Sequence, residues 1–376
     1  MKFFAQRSLC SVGLALAASL IGGLVSAQTP QSWDDVVAAA KSEHEIIVWG
    51  LVGEERRHFW KDAFEKENPG LTVRLFQADN LSERDTRYIR EFDSGVAKVD
   101  VLVGGTAGMM GRLKPAGKLQ ALKPLLRPDI LAADHWSGQG PVWTDVEQRY
   151  TIVSDLTPAP AVAVNQSIDV NSLQTWQDLL DSRFDGKIVM GDPRQAGPSF
   201  AMALFFYYDP DLGPDYVAKF FAKGRIVFAT DERQMAEWVD SGRMLATIYP
   251  RQREVEALQA VGGKLRVIDA LKANGVPQTI VVGSDGAIGV PNLDPLPHPN
   301  ATRVYANWLY SREGQQAMID SLGIASTRTD VDDSKLGPLV RRRPGVKYTV
   351  ANDEALNATE RAVAMREAVT KAVDER

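Results

Sequence analysis

Residues 186–208 read GKIVMGDPRQAGPSFAMALFFYY. The KIVM at 187–190 is β-branched and apolar, the pattern of a short buried strand. Gly191, Asp192, Pro193 and Gly197 then crowd turn-forming residues together. Pro198 suits the first position of a helix, and SFAMAL at 199–204 starts an apolar one. A strand that runs through such a turn into a helix leaves the first helical N–H groups unpaired. Their partial positive charge forms a cradle for an anion. Arg194 in the same turn adds a full charge and a planar fork that matches carboxylate or phosphate. An ordinary turn with a solvated arginine is the alternative, and the rest of the chain has to decide between them.

Working outward, the same alternation recurs. Ser32 and Asp35 form a capping-box pattern that opens a helix. EIIVWG (45–50) predicts a strand, 54–68 a helix stopped by Asn68-Pro69-Gly70, and LTVRLF (71–76) a second strand. A charged helix over 82–94 and a strand over 99–103 follow, ending in Gly104-Gly105-Thr106 before another helix. Beyond 186–208 the chain continues with strands at 226–228, 245–250, 265–268, 279–283 and 286–291. Helices lie between them, and Thr230 is placed to cap the one over 231–240. Repeated β–α alternation predicts an α/β protein with parallel sheets covered by helices on both faces. Ligands of such sheets bind at the carboxyl ends of strands, where the strand order reverses. The Gly-containing turns at 50–53 and 104–108 are therefore candidates beside 191–197, although glycine for close strand–helix packing explains them equally.

The ends read differently. Lys2 and Arg7 precede an apolar, small-residue run over 9–25, and Val25-Ser26-Ala27 is a cleavage pattern, so 1–27 is expected to be a signal peptide for export to a bacterial periplasm. The single cysteine, Cys10, falls inside it, which leaves the expected mature chain without thiols or disulfides. Loss of Lys2 and Arg7 would make the formal charge of −5 more negative by two. A mildly acidic, well-mixed surface argues against nucleic acid or an anionic membrane as partner. The length suggests two lobes. RRRPGVK (341–347) reads as a solvated basic linker. Ala355, Ala358, Ala362, Met365, Val369 and Ala372 describe an amphipathic tail helix that docks on a lobe.

Enzyme motifs do not assemble. The turn GGTAG (104–108) is not G-x-G-x-x-G, and no phosphate-loop G-x-x-x-x-G-K-[ST] is present. His44, His58, His135 and His298 form no metal-ligand spacing. GPSFA (197–201) resembles a nucleophile elbow with Ala in place of the last glycine, and its histidine would have to be His298 in a proline-rich loop. No catalytic residues, cofactor or metal are expected from these motifs.

The ordered set FEKENPGLTVRLF (64–76), VDVLVGGTAGMMGRLKPAGKL (99–119), PAVAVNQSI (160–168), WQDLLDSRFDGKIVMGDPRQAGPS (176–199), GRMLATIYP (242–250), DGAIGVPN (285–292) and PNATRVYANWLYSREGQQAMI (299–319) resembles bacterial extracellular solute-binding proteins of ABC transporters, of the ferric-iron, family 1 type. The resemblance covers about 32–330. It implies a two-lobed periplasmic-binding-protein type II fold, with crossing hinge strands near 161–165 and 247–250 and the ligand in the interlobe cleft. The first lobe would then be 28–165 and 247–330, the second 166–246, and 331–376 a linker and tail helix. Gly53, Gly105, Thr106, the Arg194–Ser199 turn, Thr230, Tyr249, Ser284 and Asp285 would line the cleft, with Arg194 or Arg251 as counter-charge to an anion. The implied partners are a small-molecule ligand and a membrane permease, with the protein itself a monomer.

Ferric-binding members use adjacent tyrosines after the second crossing strand. Here that position offers Tyr249 followed by Pro250, and the pair Tyr207-Tyr208 lies inside a helix, where core packing accounts for it. A small organic anion is therefore expected over ferric iron. A periplasmic sensor subunit would use the same cleft.

Overall fold

The computed structural model describes residues 32–375 apart from 138–139, 156, 159, 196, 283–284, 338–339, 342 and 352. The expected signal peptide and Ser284 lie outside the described residues.

Ser32 caps α1 (Trp33–Glu43), and Asp35 completes the capping box. β1 (Glu45–Leu51) leads to α2 (Glu54–Arg57), which continues through π-helical His58–Ala63 into α3 (Phe64–Glu67). β2 (Thr72–Ala78), α4 (Leu81–Asp93) and β3 (Val101–Val103) follow. The short α5 (Thr106–Gly108) then runs on as π-helical Met109–Leu113 to β4 (Leu119–Gln120). β5 (Val142–Trp143), β6 (Ile152–Val153), β7 (Thr157–Pro158) and β8 (Val162–Val164) are short. β9 (Ile188–Met190), α6 (Pro198–Tyr208), α7 (Gly213–Phe220), β10 (Ile226–Phe228), α8 (Glu232–Asp240), β11 (Ala246–Ile248) and α9 (Gln252–Ala260) come next. The chain closes with β12 (Arg266–Ile268), β13 (Leu271–Ala273), β14 (Val276–Val282), β15 (Ile288–Pro291), α10 (Pro299–Leu309), α11 (Arg312–Leu322), β16 (Lys347–Val350) and α12 (Thr359–Asp374).

Two five-stranded sheets repeat one plan. The first runs β2-β1-β3-β15-β4 and the second β10-β9-β11-β8-β12. In each, the three leading strands are parallel and the fourth is antiparallel to its neighbour. Each is a two-faced sheet with its own core. Ile46 and Val48 of β1 join the cluster under Phe64, Tyr305 and Trp308, whereas the alternate residues Ile47 and Trp49 join the cluster under Tyr88 and Met109. In the second sheet Ile188 and Met190 face Trp176, Phe206 and Phe220, and Val189 faces Met235 and Val239.

The expected hinge positions, 161–165 and 247–250, lie at strands of the second sheet. Residues 162–164 and 246–248 pair with each other there in antiparallel register, and 266–268 pair there too. β7 and β14 pair antiparallel in a third, smaller sheet with β13 and β16. The tail helix does dock, as its spacing predicts: Ala362, Met365 and Val369 of α12 are buried against α6 and α7. Tyr207 and Tyr208 pack at the edge of the same cluster, and the Tyr208 hydroxyl donates to the Arg361 carbonyl at 3.2 Å.

Gly50 shows how closely helix and sheet approach in the first lobe. A Cβ there would sit 2.6 Å from both the Trp60 ring and a Val103 methyl. Gly50→Ala is expected to destabilise the protein by about 1–3 kcal/mol through overpacking, read as a lowered urea midpoint with an unchanged m-value.

Candidate ligand-binding site

The sequence places a turn and a helix after each of β9, β10 and β11, and the structure brings those turns to one sheet edge. They enclose a cavity of about 200 Å³ lined by Asp192, Gln195, Gly197, Pro198 and Ser199 from the first turn, Thr230 and Glu232 from the second, Thr247 from β11, and Tyr249, Pro250 and Arg251 from the turn after it. The cavity sits beside the point where strand order reverses, between β9 and β11. Pro198 occupies the first turn of α6, and its N-cap Gly197 supplies no side-chain cap; the N-cap of α9, Arg251, supplies none either. The N-cap of α8 is Asp231, which accepts from the Gln234 N–H at 3.0 Å, and not Thr230. Thr230 is exposed at the cavity wall instead.

The two arginines expected as counter-charges are already matched. Arg194 holds Asp192 through Nε (2.9 and 3.1 Å) and a terminal nitrogen (2.7 Å), and its own N–H donates to the same carboxylate at 2.9 Å. That pairing holds the Asp192 carboxyl below its usual range, the hydrogen bonds from the Arg194 side chain contributing most. Asp192, and not Arg194, faces the cavity. Arg251 pairs with Glu232 at 3.0 Å. Tyr249 is half-buried with φ 51°, a left-handed conformation that costs a tyrosine about 1–2 kcal/mol. Its N–H donates to the Ala161 carbonyl at 2.9 Å. Burial raises the phenol's pKa, and the Glu232 carboxylate raises it further.

The remaining expected residues gather at the equivalent edge of the first sheet. Gly53 is the N-cap of α2 after β1, and Gly105-Thr106 follow β3. Asp285 precedes β15, whose antiparallel pairing with β3 brings it to the same edge. Gly105 has φ 83°, and a Cβ there would lie 2.9 Å from Leu81 and 3.1 Å from the Arg84 guanidinium. Arg84 is fully buried, pairs with Asp85 at 2.7 Å and donates to the Val103 and Gly104 carbonyls. A side chain at 105 would therefore crowd both Leu81 and Arg84. Asp285 is held by Arg56 at 2.8 and 3.1 Å, its carbonyl accepts from the Trp60 indole at 3.1 Å, and its N–H donates to Asp155 at 2.8 Å. None of these first-sheet residues lines the second-sheet cavity. Among the described residues that line it there is no histidine; His298, in the first lobe, is bonded to Asp100 through its N–H (2.8 Å) and Nδ1 (2.7 Å).

Residues 60–346 match the family model described as bacterial extracellular solute-binding protein. The chain belongs to that family. A search of curated proteins finds no match to it. Among solved structures this solute-binding protein is similar to the periplasmic binding protein AfuA from Actinobacillus pleuropneumoniae with fructose-6-phosphate bound (TM-score 0.54, 15% identity, 88% of this chain and 99% of that one). It is also similar to Trichodesmium IdiA (FutA) in complex with iron and citrate (0.61, 14%, 87% and 99%) and to the Atu4243–GABA receptor (0.53, 14%, 86% and 97%). At such identities the likeness shows the two-lobed periplasmic-binding-protein fold and nothing about the ligand.

Asp192, Glu232, Met235 and Thr247 reach the cavity of this solute-binding protein without having been expected there, whereas Gln195 belongs to the expected Arg194–Ser199 turn. The D-P-R spacing carries the signal for Asp192, since an aspartate two residues before an arginine closes an Asx turn on it. Glu232 carries none, because its pairing with Arg251 joins two separate turns. Arg194→Gln is expected to raise the Asp192 pKa toward the ordinary carboxylate range, measured by carbon-detected NMR titration. A depressed folded-state pKa stabilises above the unfolded value, about 3.9, and the stabilisation is lost as pH falls through the folded value. The stability gap between wild type and variant should therefore narrow in acid.

Proposed function

We infer that this protein is the periplasmic substrate-capturing component of an ABC importer. It takes a small organic anion, a carboxylate, phosphate ester or phosphonate, and delivers it to a membrane permease without chemistry. The observation that carries the reading is the convergence of the first turns of α6, α8 and α9 on one cavity. Backbone N–H groups at such turns bind anions through hydrogen bonds and the helix dipole together. Ser199, Thr230, Tyr249 and Arg251 form the second-lobe half of the proposed site, and Gly53, Gly105, Thr106 and Asp285 the first-lobe half. Ser284, beyond the described residues, is proposed with the latter group. Ligand joins the halves by bending at β7 and β14, and only its extra contacts in the closed form shift the population.

Because Arg251 begins paired with Glu232 and Arg194 with Asp192, the incoming anion exchanges with a carboxylate for a guanidinium. Arg194 is thereby demoted from a free counter-charge to a latent one. The ferric alternative would require Tyr249 as a phenolate. The residue after it is Pro250 and not a second tyrosine, which favours the organic anion.

Protein purified natively and then denatured should release a stoichiometric small acid or phosphate ester by mass spectrometry; stoichiometric iron on metal analysis would reverse the reading. With the released compound, Arg251→Gln is expected to weaken binding by about tenfold or more, the loss of a charge-assisted hydrogen bond. Glu232→Gln should tighten it by freeing Arg251. Calorimetric titration giving the opposite order would remove the exchange from the mechanism.

A further inference from the structure

The C-terminal segment is bonded to both lobes. On the first lobe, Glu354 accepts from Lys114 Nζ at 2.7 and 2.8 Å and from the Val146 N–H at 2.9 Å, and its own N–H donates to the Thr144 carbonyl at 2.8 Å. Lys114 is also paired with Glu147. Between the lobes, β16 lies parallel to the crossing strand β14 in register Gln278 to Lys347 through Val281 to Val350. On the second lobe, Met365 and Val369 are fully buried in the main core. The same segment therefore makes a third passage between the bodies, beside β7 and β14.

Its far end reaches the binding turn. Arg366 Nε donates to the Arg194 carbonyl at 3.2 Å, and its guanidinium lies over the Phe200 ring at 4.6 Å. One side chain thus clasps the 191–197 turn and the first turn of α6, the two pieces that meet at the cavity. Packing of α12 does not need this contact, since Ala362, Met365 and Val369 already bury its inner face. Residues 355–358 belong to no helix or strand, and Leu356 among them is buried in the second-lobe core.

We propose that the C-terminal segment is a strap of the binding site, in which Arg366 is a positioning residue holding the 191–197 turn and Glu354 ties the other end to the first lobe. The proposal takes the cavity to be the ligand site, as argued above, but its consequences are read without ligand. Bending at the hinge must then pass through the strap, which restrains how far the lobes separate and keeps the turn in its binding geometry.

The test uses the full chain. Hydrogen exchange followed by mass spectrometry should show amides of 191–197 exchanging about tenfold faster in Arg366→Leu, which covers Phe200 but cannot donate to a carbonyl. Peptides of β9 and α8 should stay as in wild type, and Arg366→Lys, which can donate, should restore part of the protection. Unchanged exchange at 191–197 in Arg366→Leu, or a rise spread evenly over the second lobe, would overturn the positioning role. For the other end, spin labels at Val96→Cys and Val261→Cys, exposed on the first and second lobes, are measured in a Cys10→Ser background. Glu354→Gln should broaden the interlobe distance distribution. An unchanged distribution would overturn the strap, whatever solute the cavity holds.

Discussion

The structure depends on burying a helix that has no polar side over its middle. Ala201 to Phe206 of α6 are six consecutive buried residues, and a helix apolar all round must be covered all round. The second sheet covers one side through Val164, Ile188 and Met190, the rings of Trp176, Tyr216 and Phe220 another, and α12 a third. Phe206 alone meets Trp176, Tyr216 and Phe220 with ring centroids 5.0 to 5.3 Å apart. Such contacts fix the axis of α6, and with it the direction in which its open N-terminus points. The turn at 191–197 can bend, but the donors behind it cannot drift.

The two sheets solve the same problem with different residues. Each reverses its strand order beside a glycine-bearing turn, and each reversal point is bordered by ion pairs complete in themselves: Arg56 with Asp285 and Arg84 with Asp85 on one lobe, Arg194 with Asp192 and Arg251 with Glu232 on the other. An unmatched guanidinium in a partly buried cleft would be costly to desolvate before a ligand arrived. Matching it with a carboxylate removes that cost. On the proposed reading, a solute would contend with a resident acid for the guanidinium.

Much of this was legible in the sequence. The alternation of β-branched runs with capped helices placed most strands within one or two residues, and the turns at 50–53, 104–108 and 191–197 do lie at the carboxyl edges of two sheets. Failures came where pairing, and not pattern, decides. β7 is two residues ending in Pro158, and β16 is four residues beside RRRPG, so neither shows a period long enough to read. Residues 161–165 and 247–250 look like strands and are strands, but nothing local says which sheet they join. Thr230 and Asp231 are both good capping residues, and only the backbone geometry chooses the second. The Glu232–Arg251 pair joins turns that only the fold brings together.

The position of α12 has a consequence for how the molecule is made. Met365 and Val369 pack in one core with Val162 and Trp176, contacts that span about half the chain. A lobe assembled from such distant pieces cannot finish condensing until its last helix is available, and long-range closure of this kind slows folding. The first lobe's α1 and β1 can find β2 and β3 early, while α6 waits with an apolar flank open. The second lobe's core thus reaches its native packing only once α12 has docked on α6.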